Sequence, residues 1–228
     1  MTHCLDALLP LTMLAGMSAT LVAGWMDQIW REIWSVMVND AYFRVFEHAR
    51  EITGRFKKDI AVLVHNGYLT FQMAGIRRLC DRRPDVISLT RALTQTKVDI
   101  PKEADRIDLI LQILEARSRH VITQTNQYIA HTADPDRTRK PAAWNMQMKH
   151  LTEAQEAICK CATAFDRDVL QRQTYTNVIP VNLGDIMEDF RHWVPETQMP
   201  ELYKFWHAHV RKVDDWGRHP YAWSEEAP

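Results

Sequence analysis

Between Ile107 and Ile129 the apolar residues recur at intervals of three and four: Ile107, Ile110, Leu111, Leu114, Val121, Ile122 and Ile129, with Ser118 and Thr125 filling the remaining positions. A repeat of that period gathers its members on one face of an α-helix and scatters them over both faces of a strand, so it restricts the segment to helix. Pro101 suits the first turn. Pro135 and Pro141 act as breakers beyond the far end. About thirty residues of helix, 101–131, span roughly 45 Å.

The same period predicts the other long elements. Residues 25–53 carry Trp30, Trp34, Met37, Val38 and Phe46 at helical spacing. Trp25, Trp30 and Trp34 can be read as a binding stripe or as core, and core packing of a long helix is the simpler reading. Gly54 is the expected stop. A second helix is expected over 55–80, a short third over 87–95 beyond the breaker Pro84, and a partner of the 101–131 helix over 142–172. After Thr176 the pattern fragments. The stretch "NVIPVNLGD" reads as strand or loop, "MPELYKFWHAHVRKVDDW" as a last short helix, and "GRHPYAWSEEAP" as an irregular tail. The chain has only 7 glycines, which argues against a glycine-rich phosphate loop and a turn-rich all-β fold. The expected architecture is an all-α, antiparallel helical bundle over 25–173, with an irregular C-terminal extension over 174–228 packed on it.

Residues 7–26, "ALLPLTMLAGMSATLVAGWM", carry no charge. The run is long enough for a membrane span, but Pro10, two glycines and small polar residues weaken that reading. The preceding "MTHCLD" lacks the positive charge of a signal peptide. An apolar arm over 1–24, or a start at Met13, Met17 or Met26, is the favoured expectation, and a chain truncated to begin at Met26 should then still fold.

The formal net charge is −1, so no global field draws the chain onto nucleic acid, and any RNA site must be a local patch. Cys4, Cys80, Cys159 and Cys161 form no CxxC pair. They read as free thiols of a reducing cytosol. No ligand set for a metal stands out, and neither metal nor cofactor is expected.

Two stretches carry a resemblance. "AGIRRLCDRRPDVISLTRAL" (74–93) and "TNQYIAHTADPDR" (125–137) resemble, in that order, a helix junction and a helix end of the abortive-infection, AbiU-like branch of the HEPN superfamily. The likeness covers roughly residues 27–173. It implies a helical bundle that dimerises. It also implies a metal-independent ribonuclease site in which an Arg, a following polar residue and a His act on RNA. There the His moves the proton of the attacking ribose 2′-OH and the Arg stabilises the phosphate charge. On that motif His131 and Asn126 are the catalytic candidates. The Arg position is occupied by Thr125, and the nearest upstream arginines, Arg119 and Arg117, lie roughly 18 and 21 Å back along one helix. Thr125→Arg is therefore expected to restore the motif.

A substitute cation has three sources. Arg137, Arg139 and Lys140 come after His131 in the loop. Arg55, Lys57 and Lys58 become its neighbours if the helices over 55–80 and 101–131 are antiparallel. Arg77 and Arg78 (with Arg82 and Arg83) would lie at the far end and reach it only across a dimer. Taken alone, Asn126 reads as a hydrogen-bonded structural residue and His131 as a helix-end histidine favoured by the dipole.

At roughly 100° per residue Arg117, His120, Gln124, Gln127 and His131 form one polar stripe opposite Ile122, Thr125 and Ile129. A homodimer using that stripe is expected. Three functional readings stand: a cytoplasmic toxin or phage-defence endoribonuclease with RNA as substrate and a cognate antitoxin as partner; a catalytically inert HEPN-fold module for RNA binding or dimerisation; and a membrane-associated accessory protein.

Overall fold

The computed structural model describes residues 11–56, 58–128, 144–173, 178–179 and 183–222. Among them are seven α-helices and no strand: α1 (Leu11–Thr53), α2 (Lys58–Leu79), α3 (Leu89–Asp99), α4 (Ala104–Tyr128), α5 (Met148–Ala164), α6 (Leu183–Arg191) and α7 (Met199–Arg218). The chain is an all-helical bundle.

Local chemistry sets the ends. Gly54, at φ 63°, closes α1 by donating its N–H to the Arg50 carbonyl at 3.0 Å; that left-handed φ is cheap only for glycine. Ser88 caps α3, its Oγ accepting from the Arg91 N–H at 3.0 Å. Pro101 opens a single tight turn that leads into α4. Pro200 occupies the first turn of α7.

Around α1 its neighbours α2, α5 and α7 each run antiparallel to it, because the ties climb one helix as they descend the other. α1 meets α2 through Asp40–Tyr68 and Glu32–Arg78. α1 meets α5 through Arg44–Thr152 and the turn that follows α5 through Trp30–Asp166. It meets α7 through Asp40–His209, the His48–Phe205 stack and the Ile52 carbonyl with Gln198. α4 packs against α5 and α2. α1 and α2 approach closely at Gly75, where an added Cβ would lie 2.5 Å from Val36 Cγ2, so a side chain there would push the two helices apart.

α1 is 43 residues long and begins at Leu11, not near Trp25. Val22 and Met26 are buried in the core, Arg91 stacks on the Trp25 ring at 4.3 Å, and the Ala23 carbonyl accepts from Arg172 Nη1 at 2.6 Å. The expected arm is thus helical from residue 11, and a truncation to Met26 removes core contacts. Among the described residues no helix is long and apolar enough to cross a membrane. Trp30 is wholly buried, its indole N–H donating to Asp166 at 2.6 Å, so the Trp stripe is core.

The C-terminal third also departs from expectation. α5 ends at Ala164 and passes into a wide turn, Phe165–Val169, instead of running to residue 172. The expected last short helix is 20 residues long, and α6 precedes it. Of the stretch read as strand or loop, Val178 and Ile179 are both buried, and the Val178 N–H donates to Asp214. Leu202, Trp206, Val213 and Trp216 are buried in α7 at helical spacing. His209 falls inside that seam and meets Asp40. The segment after residue 173 therefore builds part of the bundle.

Candidate functional site

Thr125 and Asn126 sit where the last turns of α4 pass α2. Thr125 is 1% exposed; its hydroxyl donates to the Val121 carbonyl at 2.7 Å and lies 3.4 Å from the Met73 carbonyl. The next residue points along the joint. Asn126 Oδ1 accepts from Arg77 Nε at 2.7 Å. The bond uses one of the five guanidinium donors and fixes the plane of the rest. Among the described residues no carboxylate lies within ion-pair distance of Arg77.

Arg77 and Asn126 form one end of a cleft of about 300 Å³ between α2, α3 and α4. Leu111, Leu114 and Ile122 give it an apolar wall, and Ser118 and Thr90 add hydroxyls. Its other two arginines are spoken for: Arg82 pairs with Glu115 at 2.8 Å and Arg119 approaches the same carboxylate at 3.8 Å. Burial pushes the Asp81 carboxyl up, but hydrogen bonds from Arg83 and the charges of Arg83 and Arg77 outweigh it and hold Asp81 below the ordinary carboxylate range. Burial pushes the Cys80 thiol up to about 12, against a smaller opposing bond from Ser118. That thiol is protonated at neutral pH and is no nucleophile. Among the described residues no group of three or more His, Cys, Asp or Glu is placed to hold a metal ion.

His131, Arg137, Arg139, Lys140 and Lys57 lie outside the described residues. Arg55, in the α1–α2 turn, donates to the carbonyl of Trp193, which follows α6. Lys58 is exposed at the start of α2, and Arg78 pairs with Glu32 on α1. The register of α2 against α4 differs from the expected one. The Thr125–Met73 and Arg77–Asn126 contacts place the last described turns of α4 beside the second half of α2. The start of α2, at Lys58, is roughly 22 Å from Met73 along the helix. Arg55 and Lys58 are thus far from that end of α4, while Arg77 reaches it within one chain, with no dimer needed. The cause is unequal helix length around a shared contact, which periodicity does not encode.

The polar stripe also differs. Gln124 is 3% exposed, and its Oε1 accepts from the Asn145 N–H at 3.5 Å. His120 Nε2 lies 3.0 Å from the Asn145 carbonyl oxygen. The chain entering α5 therefore covers part of the face that was expected to meet a partner. Tyr128 and Trp144 meet edge to face, centroids 5.1 Å apart. These are the described residues on either side of segment 129–143, which contains His131.

The His120 and His150 rings lie 4.0 Å apart. His150 Nδ1 accepts from the Gln147 N–H at 3.2 Å, which completes the cap of α5 and requires the neutral ring. Burial lowers the His150 pKa, followed by the charge of His120; Glu153 opposes and Lys149 adds. A histidine lowered on folding contributes stability that is full above its unfolded pKa, about 6.5, and is lost as pH falls through the folded value. Melting temperature should fall as pH drops from about 8 to about 5.5, and His120→Gln should lessen the fall. An unchanged profile in that variant would count against the pair.

Searches against protein-family models, curated proteins and solved structures find no match.

Proposed function

We propose that the chain is a HEPN-type defence or toxin–antitoxin protein: a cytoplasmic, metal-independent endoribonuclease in which Arg77 supplies the cation missing at Thr125. The observation that carries this reading is the 2.7 Å bond from Arg77 Nε to Asn126 Oδ1. It puts a guanidinium without a carboxylate partner among the described residues at the polar residue of the motif. Asn126 orients Arg77, and the remaining donors of Arg77 meet the phosphate, for which a planar fork is suited. His131, five positions after Asn126, moves the proton of the 2′-OH. The products carry a 2′,3′-cyclic phosphate. The antitoxin expected as partner would act by covering this site.

The test is cleavage of pooled RNA in EDTA. His131→Ala and Arg77→Ala should each lower the rate about a hundredfold or more at unchanged helix content, since acid–base and phosphate-stabilising groups contribute on that scale. Arg77→Lys should recover part of it, keeping charge but losing the fork. Cleavage that survives Arg77→Ala removes the substitution from the reading. A wild type that binds RNA without cleaving it assigns the chain to the inert HEPN-fold binding module instead.

A further inference from the structure

The cleft of about 300 Å³ between α2, α3 and α4 extends well past Arg77, and its chemistry changes along its length. The Arg77 end offers donors: the guanidinium keeps N–H groups beyond the one that meets Asn126, and the Asn126 amide nitrogen makes no hydrogen bond among the described residues. Leu111, Leu114 and Ile122 form an apolar wall. Thr90 also lines the space; it is 8% exposed, and its hydroxyl has no hydrogen-bond partner among the described residues. At the other end stands Glu115, 2.8 Å from Arg82 and 3.8 Å from Arg119. We propose that this cleft binds a guanosine phosphate, with the phosphate on Arg77 and the base lodged toward Glu115. The proposal rests on the reading of Arg77 as a phosphate-binding group and names the nucleotide that the site selects.

The order of these groups matches one nucleotide laid along the cleft. Asn126 and Glu115 lie roughly 16 Å apart along α4, which leaves room for a phosphate, a sugar and a base end to end. The volume suits a small ligand and not a larger one. The apolar wall takes the face of the base. The choice of base follows from Glu115. A carboxylate has two oxygens and about four acceptor positions, so its two arginine contacts do not exhaust it. Guanine alone among the four bases offers two N–H donors, N1 and N2, beside a carbonyl acceptor, O6, on one edge. The two donors meet Glu115, and O6 meets the guanidinium of Arg82 or Arg119, the commonest partner of guanine acceptors. Both arginines have exposed side chains, and exposed ion pairs contribute little, so turning one of them toward a base costs little. The Thr90 hydroxyl supplies a further donor on the buried side, where an unpaired hydroxyl is otherwise unfavourable. A second anion in place of the base would meet Glu115 and be repelled.

Equilibrium dialysis of the full chain against guanosine, guanosine monophosphate and the other three ribonucleoside monophosphates tests the assignment. Guanosine monophosphate should bind about tenfold or more tighter than the adenosine, cytidine and uridine monophosphates, the scale of one bidentate base contact. Glu115→Gln, at a half-exposed side chain, should erase that preference with helix content unchanged. Thr90→Val should weaken guanosine monophosphate about fivefold at an unchanged melting temperature. Arg77→Lys should weaken all four monophosphates alike and leave guanosine unaffected, because a point charge replaces the fork. Equal affinity for the four bases, or a guanine preference that survives Glu115→Gln, overturns the proposal. A short oligoribonucleotide with a single guanosine identifies the source. Tighter binding than the monophosphate assigns the guanosine to RNA, weaker binding assigns it to a free nucleotide, and the pocket stands in both. The two readings fail separately. RNA cleaved without base preference keeps the ribonuclease and overturns the pocket, whereas guanosine monophosphate bound without any RNA cleavage keeps the pocket and removes the ribonuclease.

Discussion

Asp40→Ala should destabilise the bundle by about 3–5 kcal/mol, read as a lower urea midpoint. Asp40 is wholly buried where α1, α2 and α7 meet. Its carboxylate accepts from Arg44 Nε at 2.7 Å and from the Tyr68 hydroxyl, and His209 Nε2 lies 3.4 Å away. Removing the acid takes the common acceptor from Arg44, Tyr68 and His209, and leaves the Tyr68 hydroxyl and the His209 ring too deeply buried to be fully hydrated. That loss, more than the Coulomb energy of the pair, sets the size of the effect. Tyr68→Phe, which removes one donor and leaves the charge paired, should cost less, about 1.5–3 kcal/mol. Burial alone would push the Asp40 carboxyl up, but His209, the charge and bond of Arg44, and Tyr68 outweigh it and hold it well below the carboxylate range. A carboxyl lowered on folding contributes stability that is full above its unfolded pKa, about 3.9, and is lost as pH falls through the folded value. The wild type should therefore show acid destabilisation below about pH 4 that Asp40→Ala lacks. A variant within about 1 kcal/mol of wild type would show that Asp40 is not the hub of these contacts.

Asp40 also marks how far periodicity carries. It stands on the apolar side of α1, between Met37 and Ala41, with Arg44 one turn on, so a buried acid with a local partner was readable there. Its partners Tyr68 and His209 were not, since they arrive from other helices. The long helices were legible because each carries several turns of 3–4 spacing. α6 was not, because nine residues with Gly184 in the first turn hold too few repeats to separate helix from loop. The start of α1 was obscured by glycines and small residues, which dilute the 3–4 apolar spacing there. For the site, the motif order pointed to Thr125, Asn126 and His131, but the Arg77–Asn126 contact depends on how far α2 slides along α4. The cover over Gln124 depends on where the chain re-enters as α5. Both are tertiary quantities. Arg77 and Arg78 are adjacent in sequence, yet they turn roughly 100° apart on the helix, one toward Asn126 and the other toward Glu32.

Thr125→Arg separates the two ways of completing the motif. Were position 125 open to a substrate, the substitution would restore the family's arginine and create or raise cleavage. The packing gives the opposite expectation. Thr125 is buried against Met73, itself wholly buried, and its short side chain returns its hydroxyl to the Val121 carbonyl. An arginine there must either force a guanidinium into the buried α2–α4 joint or push the helices apart. Overpacking costs about 1–3 kcal/mol, and burying an unpaired polar group adds about as much again. The expected loss is therefore about 3–5 kcal/mol, with RNA cleavage falling because the Arg77–Asn126 contact next to it is displaced. Thr125→Val keeps the shape and loses one hydrogen bond, so it should cost about 1 kcal/mol and leave Arg77 in place. Urea unfolding of the three proteins, with cleavage measured at matched folded fraction, gives the decision. A Thr125→Arg variant as stable as wild type and more active would show that the motif position is open to substrate, and Arg77 would then be a helix tie and not the missing cation.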